Sequence, residues 1–284
     1  MNIILGATGQ IGSMLVENLL KKGQPVRAVI RDSSKVQELK NKGAEVVIAD
    51  YFDAETLKRA FQRGSSVFLL TPENTECKNC LKEIQMIINN YREAVFSSGL
   101  TKIVGLSSMG AQHEAGTGNL MASYMLEHAF SDLEIEQIFV RPAYYFSNWL
   151  GYLELVKENG ILPTFFPPEM ELPMIAPPDV AKFLAEVMTC KNPQERIYEI
   201  MGPHDYSSLD IAKIFREVLN RNVTLQQILP EEWESTLTQA GFSKGAADNF
   251  ILMTKAVIEG KIKNDALNPI RFSTGFKTYL KKFV

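Results

Sequence analysis

Gly6-Ala7-Thr8-Gly9-Gln10-Ile11-Gly12 follows the apolar run Asn2–Leu5 and opens the stretch Ile11–Lys22. In that stretch Leu15, Leu19 and Leu20 share one helical side while Glu17, Lys21 and Lys22 share the other, and Gly23 stops it. A GxxGxxG spacing alone says little. Between a strand and a helix it has a mechanical meaning: Gly6 permits the tight turn, Gly9 lets the backbone approach a pyrophosphate, and Gly12 allows close helix–strand packing. The free N–H groups at the helix start carry partial positive charge toward that anion. Gly6, Thr8, Gly9, Gln10, Ile11 and Gly12 are therefore candidates for seating a dinucleotide. The plainer reading is a glycine-rich turn with no ligand.

Outward from the loop, short apolar runs alternate with helical patterns. Pro25–Ile30, Glu45–Ala49, Ser66–Leu70, Lys102–Ser107 and Glu136–Val140 read as strands. Ser33–Lys42, Ala54–Phe61, Glu83–Ser97 and Met121–Phe130 read as the helices between them. Such alternation implies right-handed βαβ crossovers. The expected class is α/β: a Rossmann-type parallel sheet with helices on both faces, plus a smaller C-terminal region over the cleft. We place the dinucleotide-binding core at 1–142 and the covering region at 143–284, with about 174–201 returning to the sheet. Six prolines between Pro163 and Pro178 mark loop and cap material. Beyond it, Asp179–Thr189 reads as a helix, Arg196–Ile200 as a strand, and Ser207–Leu219 as a helix capped by Ser207 or Ser208.

The chain has 284 residues, is 45% hydrophobic and carries a formal net charge of −3. A balance of that kind gives no reason to expect a nucleic-acid surface. The N-terminus has no basic, apolar leader, and no apolar run is long enough for a membrane span. The cytoplasm is the simplest expected compartment. Three cysteines make no disulfide framework. Cys77-Lys-Asn-Cys80 has the spacing of a redox pair or half a zinc site, against the plainer reading of two unrelated cysteines; no metal site is expected.

NAD-binding chains place an acid at the end of the second strand, about 20 residues past the loop, to hold the ribose 2′-hydroxyl. Here that place holds Arg31, followed by Asp32, Ser33, Ser34 and Lys35. A guanidinium pairs with a 2′-phosphate, so the expected cofactor is NADP(H). NAD(H) is accepted instead if Asp32 turns inward. Asp50 is placed to accept from the adenine amino group, or is an ordinary loop opener. Leu70-Thr71-Pro72 and Ser107 end the fourth and fifth strands, at the edge where ligands bind in such sheets.

GATGQIG, VRAVIRD, the Thr71-Pro72 pair, SSMGA at Ser107–Ala111, VRPAYYFSN at Val140–Asn148 and IMGPHDYSSLDIA at Ile200–Ala212 together resemble the NmrA-like family of atypical short-chain dehydrogenase/reductases. The likeness is weakest over 225–284. It implies NAD(P) binding. The family includes quinone reductases and azoreductase-like proteins, and also redox sensors that have lost catalysis. It further implies that Ser123 and Pro142 border the cofactor.

Typical short-chain dehydrogenases carry Tyr-x-x-x-Lys on the helix after strand five, the lysine lowering the tyrosine pKa. The corresponding positions here hold Asn119 and Ser123, and no lysine lies between Lys102 and Lys157. The resemblance therefore leaves two functions open. One is NADPH-dependent reduction of a small planar acceptor such as a quinone, whose reduced oxygen a weak donor can protonate. The other is a non-catalytic sensor of NADP(H)/NAD(H) acting on a protein partner. Tyr144 and Tyr145 are the first candidates for a substitute donor, because the segment after Arg141-Pro142 borders the nicotinamide region in the family. Tyr124, Ser108 and His113 follow, and Asn148 is a candidate for the cleft wall.

Overall fold

The computed structural model describes all residues, 1–284. The first half alternates β1 (Asn2–Ile4), α1 (Gln10–Lys21), β2 (Val26–Ile30), α2 (Val36–Asn41), β3 (Glu45–Ile48), α3 (Ala54–Phe61), β4 (Ser66–Leu70), α4 (Cys80–Phe96), β5 (Lys102–Leu106), α5 (Met121–His128) and β6 (Glu136–Pro142). The second half contains β7 (Tyr144–Tyr145), α6 (Ser147–Leu150), α7 (Leu153–Asn159), β8 (Ile161–Thr164), β9 (Leu172–Ile175), α8 (Pro177–Thr189) and β10 (Ile197–Met201). It ends with β11 (Asp205–Tyr206), α9 (Ser208–Leu219), β12 (Thr224–Gln227), α10 (Trp233–Gln239), α11 (Lys244–Ile258), β13 (Ile270–Arg271) and α12 (Phe276–Leu280).

Eight strands form one parallel sheet in the order β13-β10-β6-β5-β4-β1-β2-β3. The strand order reverses at β1: β2 and β3 lie to one side, β4 and β5 to the other. In open α/β sheets the ligand crevice opens at that switch, outside the carboxyl ends of the strands. The expected Rossmann-type sheet is present, and β10 and β13 extend it from the second half of the chain.

Strands β1 and β2 are buried along their whole length, as a sheet covered on both faces requires. One face buries Ile4, Leu15, Leu19, Ala28 and Phe68 with Val180 and Leu184 of α8; α1 packs on α8 there. The other face buries Ile3, Leu5, Leu57, Phe61, Ile88, Tyr91 and Phe139. A third cluster fills the cap, around Phe146, Trp149, Leu153, Phe215 and Phe276. It lies between a small sheet, β11-β9-β7, and the helices that follow it. A second small sheet pairs β12 with β8.

Local chemistry sets the helix ends. The expected helix over 33–42 is split: the Asp32 side chain accepts from the Ser34 N–H, closing a 3₁₀ turn at Ser33–Lys35 before α2. Helix α4 starts three residues before the sequence suggests, because Asn79 accepts from the Lys82 N–H. Helix α8 starts at Pro177, a position where a proline loses no hydrogen bond. Ser207, not Ser208, caps α9, in a reciprocal box with Asp210. No helix is long and apolar enough to cross a membrane.

Candidate functional site

The glycine loop sits at the β1 switch. Gly6 has φ +61°, a region that side chains rarely adopt. A Cβ on Gly12 would lie 2.1 Å from the Gly6 carbonyl oxygen, so only glycine lets α1 start this close to the loop. A Cβ on Gly9 would lie 3.2 Å from the same oxygen, which the backbone tolerates with a small shift. Thr8, Gly9 and Gln10 face solvent at the mouth, while Ile11 is buried. The first intrahelical bond runs from the Ser13 N–H to the Gly9 carbonyl. The N–H groups of Gln10, Ile11 and Gly12 therefore have no acceptor within the helix. No side chain caps α1 either. This cradle fits an anion.

Arg31 is exposed at the end of β2, and its guanidinium carbon lies 5.5 Å from the centroid of the Tyr51 ring. Asp32 does not compete for it. Both Asp32 carboxylate oxygens are engaged by Ser34, at 2.9 Å from its N–H and 2.7 Å from its hydroxyl. Those bonds hold the Asp32 carboxyl below its ordinary range. Tyr51 was not found in the sequence, where it reads as one aromatic after a strand. Its ring steadies Arg31, and its hydroxyl lies 3.4 Å from where a Gly6 Cβ would stand, so it sets the arginine beside the loop. Asp50, exposed beside Tyr51, uses one carboxylate oxygen on the Phe52 N–H at 3.0 Å.

Leu70 packs on the loop, with its Cδ2 2.9 Å from where a Gly6 Cβ would stand. The Tyr91 hydroxyl donates to the Leu70 carbonyl at 3.1 Å and fixes the end of β4 before the half-buried Thr71 and Pro72. Ser107 is oriented differently from the sequence expectation. Its hydroxyl points inward and donates to Glu127 Oε1 at 2.5 Å. Glu127 in turn takes two bonds from Arg141, at 2.8 and 2.7 Å. Arg141 also reaches Glu199 at 3.4 Å and Asp265 at 3.1 Å. This buried network braces β5, α5, β6 and β10 behind the cleft. Ser123 is buried on α5, and the Pro142 carbonyl accepts from the Met109 N–H.

Tyr144 and Tyr145 stand where β6 leaves the sheet for the cap. Tyr144 packs edge-on against Phe166 and Trp149, with ring centroids 5.7 and 6.1 Å away, and Asn148 acts to lower its hydroxyl pKa. Burial pushes both tyrosine hydroxyls well above their ordinary range. Glu73, next to Pro72, was also not found in the sequence. It is exposed, and the desolvation that neighbouring chain imposes lifts its carboxyl above the usual carboxylate range. Its charge acts on both tyrosines in the same upward direction. Ser147 Oγ donates to Gln10 Oε1 at 3.1 Å, joining the cap to the glycine loop.

The remaining donor candidates are engaged elsewhere. Tyr124 stacks on His128 at 4.1 Å and points at Glu114. His113 Nε2 lies 2.9 Å from the Lys261 carbonyl, and Ser108 donates to the Met109 carbonyl. Asn119 sits in a 3₁₀ turn before α5. Lys102, at the opposite end of β5, pairs with Glu136. No group of three or more His, Cys, Asp or Glu side chains is placed to hold a metal. Cys77 and Cys80 are bonded as a disulfide, and Cys190 is free; the reading of two unrelated cysteines is corrected here.

The reversed strand order, with a glycine loop at its switch point, defines a Rossmann-type α/β protein. The chain belongs to the NmrA-like family, whose model matches residues 2–273. It is 24% identical over 256 residues to an NAD(P)H azoreductase of Xenophilus azovorans, covering 87% of this chain and 84% of that one. It is 24% identical over 247 residues to quinone oxidoreductase 2 of Escherichia coli, covering 86% and 84%. Among solved structures, the Citrobacter sp. triphenylmethane reductase complexed with NADP(H) superposes with a TM-score of 0.83 at 21% identity, covering 100% and 99%. The NADPH-dependent quinone oxidoreductase of Escherichia coli complexed with NADPH gives 0.81 at 22%, covering 99% of each.

Proposed function

We propose that this protein is an NADPH-dependent reductase of a small planar acceptor such as a quinone. The observation that carries the reading is the Arg31 guanidinium, free of carboxylates and held beside the glycine loop by Tyr51. Such a group accepts a 2′-phosphate. The orphan N–H groups of Gln10, Ile11 and Gly12, with Thr8 beside them, hold the pyrophosphate. Asp50 has a carboxylate oxygen left for the adenine amino group. Leu70, Thr71 and Pro72 follow the ribose, and Ser123 and Pro142 border the nicotinamide end. Ser107 acts from behind, through Glu127, and holds the end of β5.

The bound cofactor supplies the hydride. The chain supplies the half-buried Tyr144 and Tyr145 for a flat acceptor, with Tyr144 backed by the buried Trp149 and Phe166. Tyr144 and Tyr145 stay protonated at neutral pH and donate hydrogen bonds to the oxygen on which charge develops. Glu73, with its raised pKa, is the acid best matched to resupply the proton. The relatives named for azo compounds, quinones and triphenylmethane dyes support this acceptor class.

The missing Tyr-x-x-x-Lys lysine favours one second reading, a nucleotide sensor that binds but does not turn over and signals to a protein partner. A single experiment separates them: NADPH oxidation followed by absorbance against quinone and dye panels, with NADH in parallel, after binding is measured by titration. Turnover with NADPH supports the reductase. Tight binding with no turnover on any acceptor would sink it and leave the sensor.

A further inference from the structure

We propose that Cys77 and Cys80 form a reversible thiol–disulfide site that latches cap helix α11 to the loop leaving β4. This inference does not depend on the acceptor chemistry above. The pair closes a four-residue turn at the start of the 17-residue helix α4. The turn's backbone is the receptor for the N-terminus of α11. Ser243, the α11 cap, donates its N–H to the Thr75 carbonyl at 2.8 Å and its hydroxyl to the Cys77 carbonyl at 2.6 Å. Gly245 then lies so close that a Cβ there would stand 2.3 Å from the Lys78 carbonyl oxygen. Three backbone carbonyls, of Thr75 just before the turn and of Cys77 and Lys78 within it, thus face one end of one helix.

The other end of that contact reaches the cleft. Thr71, Pro72 and Glu73 lead directly into the turn. Helix α11 passes Gly118 closely at Asn249, just before α5, and its Phe250 ring meets Phe165 of the cap at 5.3 Å. The latch therefore joins the β4 loop to the roof. With the disulfide closed, the carbonyls of Thr75, Cys77 and Lys78 are fixed relative to one another. With it open, four residues regain their freedom and the seat of Ser243 loosens.

The two sulfurs are not equivalent. Cys77 is 3% exposed, whereas Cys80 is half-buried at the first residue of α4. A dithiol reductant attacks through one thiolate at Cys80 Sγ, forming a mixed disulfide and releasing Cys77 as a thiolate, which takes a proton. The second thiol of the reductant then displaces Cys80. The reductant leaves as a disulfide, oxidised by two electrons, and both protein sulfurs are reduced. The helix N-terminus stabilises the departing Cys80 thiolate.

The test compares the full-length protein after oxidised and reduced dithiothreitol. Alkylation followed by mass measurement reads one free thiol in the oxidised form and three in the reduced form, Cys190 being free in both. Amide exchange is then read over 73–80 and 243–258, with β1 and α1 as internal references. Reduction is expected to speed exchange in both segments about fivefold or more, the lower end of coupling between linked sites, and to leave the references unchanged. Cys77→Ser/Cys80→Ser should match the reduced form in either buffer. Ser243→Ala should speed exchange at α11 even in the oxidised form. Three free thiols under oxidising conditions, or equal exchange in all forms, overturns the latch. Because exchange needs no turnover, this outcome stands apart from success or failure as a reductase.

Discussion

The Arg31 guanidinium lies over the Tyr51 ring, 5.5 Å from its centroid, while its neighbour Asp32 is occupied by Ser34. The arginine is oriented without being neutralised, so its charge is available to a ligand. Arg31→Ala should weaken NADPH about tenfold to a hundredfold, the scale of hydrogen bonds to charged groups, and leave NADH nearly unchanged. Titration of each nucleotide against the variant checks this, and equal losses would remove the 2′-phosphate assignment.

The two inner glycines of the loop should separate folding from binding. A Gly12→Ala methyl meets backbone at 2.1 Å, which overpacking places at about 3 kcal/mol of lost stability. Gly9→Val meets only a 3.2 Å contact at an exposed position, so its melting temperature should fall little while nucleotide binding is lost. Tight NADPH binding by Gly9→Val contradicts the pyrophosphate seat.

Arg141→Leu should be strongly destabilising. Arg141 is 5% exposed and faces Glu127, 1%, and Glu199, 4%. Removing the cation leaves two buried carboxylates uncompensated, at about 3–5 kcal/mol. Chemical denaturation of the variant measures this. A change below 1 kcal/mol, roughly that of a surface pair, would mean that water enters the network.

Tyr144→Phe/Tyr145→Phe should lower kcat by on the order of a hundredfold, the scale of a lost oxyanion donor, with little change in NADPH affinity. Steady-state kinetics with a quinone shows the split. Retained kcat would assign the two rings to packing alone.

The same two tyrosines bear on alkaline stability. Their folded pKa values are raised by burial, so the native state holds its protons longer than the unfolded chain. Their contribution is fully present below the unfolded value near 10 and is lost as pH rises from there toward the folded values. The melting temperature should fall as pH rises above about 10, and fall less steeply in the double phenylalanine variant. An identical pH profile for both proteins contradicts the burial assigned to the hydroxyls.

Much of the fold was legible because the loop and the alternation are local signals. Gly6, Gly9 and Gly12 sit between one strand and one helix, and that placement, rather than spacing alone, points to the roles proposed for them. Arg31 was legible for the same reason, as the residue ending the next strand. Residues brought together by the sheet order were not legible. Tyr51, which follows β3, is brought beside Gly6, which follows β1, only by the order of the sheet, and Glu73 acquires its raised pKa only from desolvation in the folded chain. Ser107 read as a ligand contact because of its place on β5, but a carboxylate twenty residues away, Glu127, turns its hydroxyl inward. Cys77 and Cys80 had a suggestive spacing, yet their contact with Ser243 spans 166 residues. No period or motif encodes that.

Strands β10 and β13 belong to the main sheet, and the chain that builds the cap runs out from it and back between them. A cut after residue 142 would strip β6 of its hydrogen-bonded neighbour and expose the face that α8 covers. The roof therefore cannot be removed as a separable lid, nor exchanged whole between relatives. Diversification of what this scaffold accepts has to proceed by altering loops that are anchored at both ends. Heat should accordingly melt the protein in one cooperative transition, with the cap lost together with the floor beneath it.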